Sequence, residues 1–348
     1  MTPGPLIVDL AGTELSGEDR EVLRHPAVGG VILFARNCPD ADTVTALAAE
    51  IHALREPSLL ISIDQEGGRV QRLTAGVTRL PALTRMGALW DTDPKAARAM
   101  VHEAGWLMAA ELLALGVDLS YAPVADLGGT SRVIGDRAFH TRPQAVEAMA
   151  LAYVYGMREA GMRGVAKHFP GHGGVAEDSH VESPVDRREF ADLQMADLRP
   201  FEWLINNGLS AVMMSHVVYP AVDRGPASLS RRWVHDILRG QMEFQGAIIA
   251  DDLSMHGAAG AGDTLARVRM ALAAGCDYAP VCNDRAAVLT VLEASDTLPN
   301  EPASGLRRSR LMPGRRPDRE GLRRDPRLEA ARKLLASLGP DPDFHLEA

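Results

Sequence analysis

The chain has 348 residues, enough to bury a large core as one big α/β domain or two modest ones. A hydrophobic fraction of 46%, a charged fraction of 24% and a net charge of −9 describe an ordinary globular protein. That charge leaves no global positive field to recruit nucleic acid or an anionic membrane surface.

The N-terminal Met-Thr-Pro-Gly-Pro runs straight into Leu6–Leu10, with no basic then apolar leader, so a cytoplasmic location is expected. No apolar run approaches the ~20 residues that span a bilayer. Short apolar or β-branched runs then recur and read as strands: Leu6–Leu10, Gly30–Phe34, Leu59–Asp64, Leu119–Val124, Gly164–His168, Ala211–His216, Gly246–Asp251 and Tyr278–Cys282. Amphipathic segments lie between them: Asp42–Arg55, Pro94–Leu115, Pro143–Ala160, Arg187–Asn207, Arg231–Arg239, Thr264–Ala274 and Asp284–Ala294. Gly116, Gly161, Gly208 and Gly275 stand where left-handed helix caps belong.

Eight strands, each followed by a helix or a long loop, predict a single (β/α)8 TIM barrel, with a doubly wound open sheet as the alternative. The strands end in polar residues: Asp9, Asp64, Asp126, Lys167/His168, Ser215/His216, Asp251/Asp252 and Asn283. A barrel converges such ends into one site, whereas an open sheet concentrates function at one switch point, so the pattern favours the barrel. The barrel is expected over residues 1–298. From 299 to 348 the texture turns Pro/Arg/Asp-rich, with a helical piece at Arg327–Leu338, and a peripheral extension is expected there. The arginines between Arg307 and Arg332 read as a solvated tail or helix face, because no aromatic residues are interleaved for base stacking. Cys38, Cys276 and Cys282 form neither a C-x-x-C pair nor a disulfide framework.

Four segments carry chemistry. In Asp64–Arg72 (DQEGGRVQR) an aspartate at a strand end can accept two sugar hydroxyls, and an arginine fork can hold a carboxylate or hydroxyls. An acid–arginine pair that merely braces the loop is the competing reading. The double glycine is no phosphate loop, since neither G-x-x-x-x-G-K-[ST] nor G-x-G-x-x-G is present. Ile134–Phe139 (IGDRAF) sets a glycine before an acid–arginine pair and by itself reads as a surface turn. In Gly246–Met255 an apolar strand runs into Asp251 and Asp252. These acids can be a metal ligand set, a general base or a carboxylate nucleophile, and a helix cap at Asp252 accounts for one acid better than for both.

The densest segment is Lys167–His180 (KHFPGHGGVAEDSH), with three histidines, two acids and a lysine on a glycine-rich backbone. A metal site from His168, His172, His180 and Asp178 is one reading, but H-x3-H pairs ligate mainly on a helix, which Pro170, Gly171, Gly173 and Gly174 forbid. A second has the histidines as plain loop residues. In the third, Asp178 and His180 form an acid–base dyad in which the carboxylate fixes the imidazole tautomer and raises its pKa.

Six ordered motifs add up to a resemblance: GVILF at 30–34, DQEGGRVQR at 64–72, APVAD at 122–126, IGDRAF at 134–139, the 167–180 loop and DDLSM at 251–255. Over roughly residues 5–295 the chain resembles the glycoside hydrolase family 3 β-N-acetylhexosaminidases, closest to the short bacterial enzymes of peptidoglycan recycling. The resemblance implies a retaining exo-β-N-acetylglucosaminidase acting on muropeptide fragments such as N-acetylglucosamine linked to 1,6-anhydro-N-acetylmuramic acid. It implies Asp251 as nucleophile, His180 as acid/base tuned by Asp178, and Asp64, Arg72, Arg137, Lys167 and His168 as ligands of the terminal sugar. It implies no metal, no cofactor, no nucleic-acid or membrane partner, and a monomer. The glycines at 171, 173 and 174 are expected to act as a hinge, and His172 has no assigned role. The alternatives are a phosphorylase or β-glucosidase of the same superfamily and, from another class, a non-catalytic sugar-binding regulatory protein.

Overall fold

Strand and helix alternate from the first residues, and the alternation closes into a ring. The structure is a computed structural model that describes residues 3–176, 184–299 and 301–339. The strands are β1 (Leu6–Asp9), β2 (Val28–Leu33), β3 (Leu60–Ile63), β4 (Leu119–Ser120), β5 (Val165–Phe169), β6 (Ala211–Met214), β7 (Ala247–Ile249) and β8 (Ala279–Val281). Parallel pairing runs β8-β1-β2-β3-β4 in one sheet and β7-β6-β5 in another. Parallel bridges Val124–Lys167 and Ile249–Tyr278 join the two, so the fold is the TIM barrel.

Eight helices follow the strands: α1 (Gly17–Arg24), α2 (Ala41–His52), α3 (Pro94–Ala114), α4 (Pro143–Ala160), α5 (Leu198–Asn206), α6 (Arg232–Gln241), α7 (Thr264–Ala274) and α8 (Arg285–Glu293). Their starts are written locally: Asp40 and Asp93 accept the first free amides of α2 and α3, and Ser16 with Asp19 forms a capping box on α1. Gly116, Gly161, Gly208 and Gly275 all have positive φ, as expected of helix ends. α1 was not anticipated from periodicity, although its capping box is legible. The helix expected over Arg187–Asn207 is broken into Phe190–Met195 and α5. Between the pieces stands Asp197, buried and paired with Arg188 at 2.7 Å. A buried ion pair outranks helix continuity there.

Inward side chains fill the barrel in layers: Ile7, Ile32, Leu60, Leu119, Val165, Ala211, Met213, Ala247, Ile249 and Tyr278 form one buried cluster. Leu311 joins this cluster fully buried, and Met312 packs on it. The chain after α8 therefore plugs the base of the barrel, through α9 (Pro302–Ser309), α10 (Arg319–Arg323) and α11 (Pro326–Ala336). Its arginines form the solvated face expected from sequence only in part: Arg310, Arg315, Arg323 and Arg324 are exposed, whereas others are held by the barrel. Arg307 binds Asp277 at 2.8 Å, Arg316 binds Asp118, Arg327 binds Glu103 at 2.8 Å over the Trp106 ring, and Arg332 binds Glu111 at 2.7 Å. Arg308 is buried and donates to the carbonyls of Pro3 and Asp277. Charge on the barrel exterior, invisible from the segment alone, decides where these side chains go. No helix among the described residues is long and apolar enough to cross a membrane.

Candidate active site

Side chains alternate across a strand, so a residue two beyond an inward one also points inward. Beyond Ile7, Ile32, Ser62, Val165, Met213 and Ile249 this places Asp9, Phe34, Asp64, Lys167, Ser215 and Asp251 around the C-terminal mouth, with Cys282 beneath. Burial, then the carboxylates of Asp252, Asp9, Asp64 and Asp251, push the Cys282 thiol well up. Carboxylates from β1, β3 and β7 thus surround one point.

On the β3–β5 side a cluster of charges is assembled. Lys167 Nζ lies 2.8 Å from Asp64 Oδ1 and 2.6 Å from Glu66 Oε1. Arg137 grips Glu66 with both fork nitrogens, at 2.8 and 2.9 Å, and Arg72 reaches Asp64 at 3.5 Å. Burial alone would raise the Glu66 carboxyl, but Arg137 and Lys167 outweigh it and hold it down to about 2. Asp64 is likewise held far below the usual carboxylate range, against its burial, by Lys167 and Arg72. Lys167 is raised, because Asp64 and Glu66 outweigh the burial that would lower it. Asp64, Glu66, Arg137 and Lys167 therefore stay charged at neutral pH. Removing Glu66 would leave the buried Arg137 guanidinium without its carboxylate.

Asp126 organises the adjoining turn. Its Oδ2 accepts from the His168 backbone amide at 3.1 Å and sits 2.7 Å from His168 Nδ1, while Oδ1 accepts from the His172 amide at 2.8 Å. A carboxylate only accepts, so the His168 proton stands on Nδ1 and Nε2 turns toward Arg137 NH2, 3.4 Å away. Burial and then the neighbouring His168 lower the His172 pKa. Gly173 is needed for close approach: a Cβ there would lie 1.9 Å from the Leu127 carbonyl oxygen.

Across the mouth, Asp251 Oδ1 accepts from the Asp252 amide at 2.9 Å. Asp252 is turned away, accepting from Ser254 N at 3.0 Å, Ser254 Oγ at 2.8 Å and Cys282 N at 3.1 Å. Burial, against these hydrogen bonds, pushes its carboxyl up to about 6. The two adjacent acids therefore divide: Asp251 is presented at the β7 end, and Asp252 braces the loop.

The structure brings Asp64, Arg72, Arg137, Lys167 and His168 together at one side of the mouth. Asp178 and His180 lie outside the described residues. Sequence reading gave no role to Glu66 or Asp126, the hubs of the cluster. Glu66 was legible only as an acid two residues after Asp64, and Asp126 as one polar strand end among several. The described residues contain no group of three His, Cys, Asp or Glu placed to hold a metal ion.

The glycosyl hydrolase family 3 N-terminal domain matches residues 7–302, and the chain belongs to that family. The β-hexosaminidase of Alkalilimnicola ehrlichii is 51% identical over the whole of both chains. That of Thiobacillus denitrificans is 50% identical over 98% of this chain and 96% of its own. Among solved structures, native NagZ from Neisseria gonorrhoeae superposes with a TM-score of 0.91 at 40% identity, covering 98% of this chain and 99% of that one. The same protein in complex with N-trifluoroacetyl-D-glucosamine gives 0.91 at 41% identity with the same coverage. The protein is thus a glycoside hydrolase, a β-N-acetylhexosaminidase.

Proposed function

We propose that this enzyme is a retaining exo-β-N-acetylglucosaminidase that removes terminal N-acetylglucosamine from muropeptide fragments, N-acetylglucosaminyl-1,6-anhydro-N-acetylmuramic acid with or without peptide, in cell-wall recycling. The observation that carries the reading is Asp251 at the end of β7, facing a mouth whose β3–β5 side holds five charged or polar sugar-binding candidates. Asp64 accepts hydroxyl protons, Arg72, Arg137 and Lys167 donate to sugar oxygens, and His168 offers its Nε2 edge. Charges fixed by one another orient the ring without reorganising during the reaction.

In the first step an Asp251 carboxylate oxygen bonds to the anomeric carbon as the bond to the aglycone oxygen breaks, and His180 gives that oxygen a proton. In the second, His180 takes a proton from water, the water oxygen bonds to the anomeric carbon, and the Asp251 ester is released. The role proposed for Asp178 is to tune the His180 imidazole toward the working pH. The reading needs no cofactor. Chemistry is assigned to residues 1–298 and support to 299–348. Three free, buried cysteines accord with a cytoplasmic location, and the proposed enzyme acts on a small molecule as a monomer, without nucleic-acid or membrane partners.

Asp251→Ala is expected to abolish turnover of a chromogenic N-acetylglucosaminide, with a fall on the order of 10⁴-fold or more, while N-acetylglucosamine still binds. Full activity in that variant would remove Asp251 from the nucleophile's place. Product analysis by NMR in phosphate and phosphate-free buffers completes the test. Retained anomeric configuration with free sugar in both is expected, and sugar 1-phosphate as the main product would refute hydrolysis.

A further inference from the structure

The mouth has a second half that this reaction scheme leaves unused. With the terminal sugar on β3–β5 and the nucleophile on β7, the open arc is β8-β1-β2. Phe34, just past the end of β2, is the aromatic residue of the upper inward layer. It packs on the inner core yet stays half-buried, so part of the ring faces the mouth. The Arg36 guanidinium carbon lies 4.7 Å from its ring centroid.

Arg36 is fixed there from three sides. Its Nε donates to the Leu10 carbonyl at 2.9 Å, NH1 donates to Asn283 Oδ1 at 2.9 Å, and NH2 pairs with Asp9. These tethers come from β1 and from the turn after β8, so the guanidinium cannot swing off the ring. The result is a flat aromatic–guanidinium stack with an acceptor, Asp9, and an amide, Asn283, at its rim. A pyranose matches that surface: its C–H face packs on a flat aromatic or guanidinium plane, and its hydroxyls reach the polar rim. Because Asp9 already neutralises Arg36, the stack selects a ring rather than an anion.

We propose that Phe34 and Arg36, with Asp9 and Asn283 at the rim, form the aglycone subsite, which binds the second sugar ring of a disaccharide substrate. The inference rests on the exo-glycosidase reading and adds its specificity-determining residues. The subsite spans the ends of β8, β1 and β2, and β8 is the strand beside the nucleophile's β7, so a bound second ring places the scissile bond between Asp251 and the β3–β5 cluster.

The test compares kcat/KM for the β-1,4-linked disaccharide of N-acetylglucosamine with that for methyl β-N-acetylglucosaminide, whose aglycone has no ring. In Phe34→Ala the disaccharide-to-methyl ratio is expected to fall about tenfold, the size of one lost aromatic contact. Phe34→Trp should restore it, and the rise should lie in KM for the disaccharide. The inhibition constant of free N-acetylglucosamine reports the other subsite and controls for general damage. An unchanged ratio in an active Phe34→Ala enzyme, or equal loss on both substrates, overturns the subsite. A wild-type enzyme that turns over neither substrate instead overturns the exo-glycosidase reading on which the subsite depends.

Discussion

The two ends of this barrel both bury carboxylates against arginine or lysine, yet only one end reads as a site. At the base, Asp118 and Asp277 are fully buried just before β4 and β8. Each accepts a backbone amide from a neighbouring strand, Ile61 at 2.9 Å and Ile248 at 2.8 Å, and each receives an arginine from the C-terminal segment. Asp277 also takes Arg239 and Ser304. Every charge there is spent on protein. At the mouth, Asp64, Glu66, Arg72, Arg137 and Lys167 are paired with one another, but Arg72 and Asp64 keep part of their surface open. A buried ion cluster is thus weak testimony to function. Hydrogen-bonding capacity left facing a cavity is the stronger sign.

That contrast can be broken experimentally, starting at the mouth. Glu66→Gln should cost most, because Arg137 and Lys167 lose their shared partner and the sugar-binding groups shift. We expect kcat/KM to fall on the order of a hundredfold, as small misplacements do in preorganised sites. Near-normal kinetics would show the cluster to be only structural. At the base, Asp277→Asn should give the opposite result. Leaving Arg239 uncompensated, and Arg307 with only the exposed Glu301, should lower unfolding free energy by about 3–5 kcal/mol in urea titrations, with kcat/KM of the folded enzyme nearly unchanged. A large kinetic defect at full stability would erase the distinction between the ends.

Asp126→Asn is a gentler perturbation. The amide no longer fixes the proton on His168 Nδ1, so binding of N-acetylglucosamine should weaken about tenfold, with a changed pH profile of kcat/KM. Unaltered affinity and profile would place His168 outside the sugar site. The remaining prediction concerns Asp252, whose effect falls on stability rather than on catalysis. Its carboxyl is pushed from 3.8 up to about 6 in the folded chain, so the folded state binds the proton more tightly than the unfolded one. Its contribution is therefore most favourable below pH 3.8 and is lost as pH rises through about 6, by no more than about 3 kcal/mol. Asp252→Asn should flatten that dependence between pH 4 and 7 in denaturant titrations. An unaltered slope would mean that Asp252 titrates normally.

Much of the fold was legible because its signals are local. Alternation of apolar strands with amphipathic helices, capping aspartates and glycines at helix ends depend on neighbours within a few residues, and they place most elements correctly. The exceptions are cases where a distant partner decided. The Asp197–Arg188 pair breaks a predicted helix, and carboxylates at the base and flank of the barrel capture Arg307, Arg316, Arg327 and Arg332. In the site, the polar strand ends were legible one by one, and the family resemblance implied which of them hold the sugar. The hubs that bind them into a cluster, Glu66 and Asp126, were not, because an acid's importance there lies in partners 71 and 42 residues away.

The sequence alone determined the periodicity, hence the eight-fold alternation and the set of polar groups at strand ends. Closing the ring was needed to decide which of them share charge and which stay open to a ligand. It also set Phe34 and Arg36 beside Asp9 and Asn283, and sent Leu311 into the base. Periodicity is a property of short stretches of backbone, whereas pairing and burial depend on distances that only the closed barrel fixes.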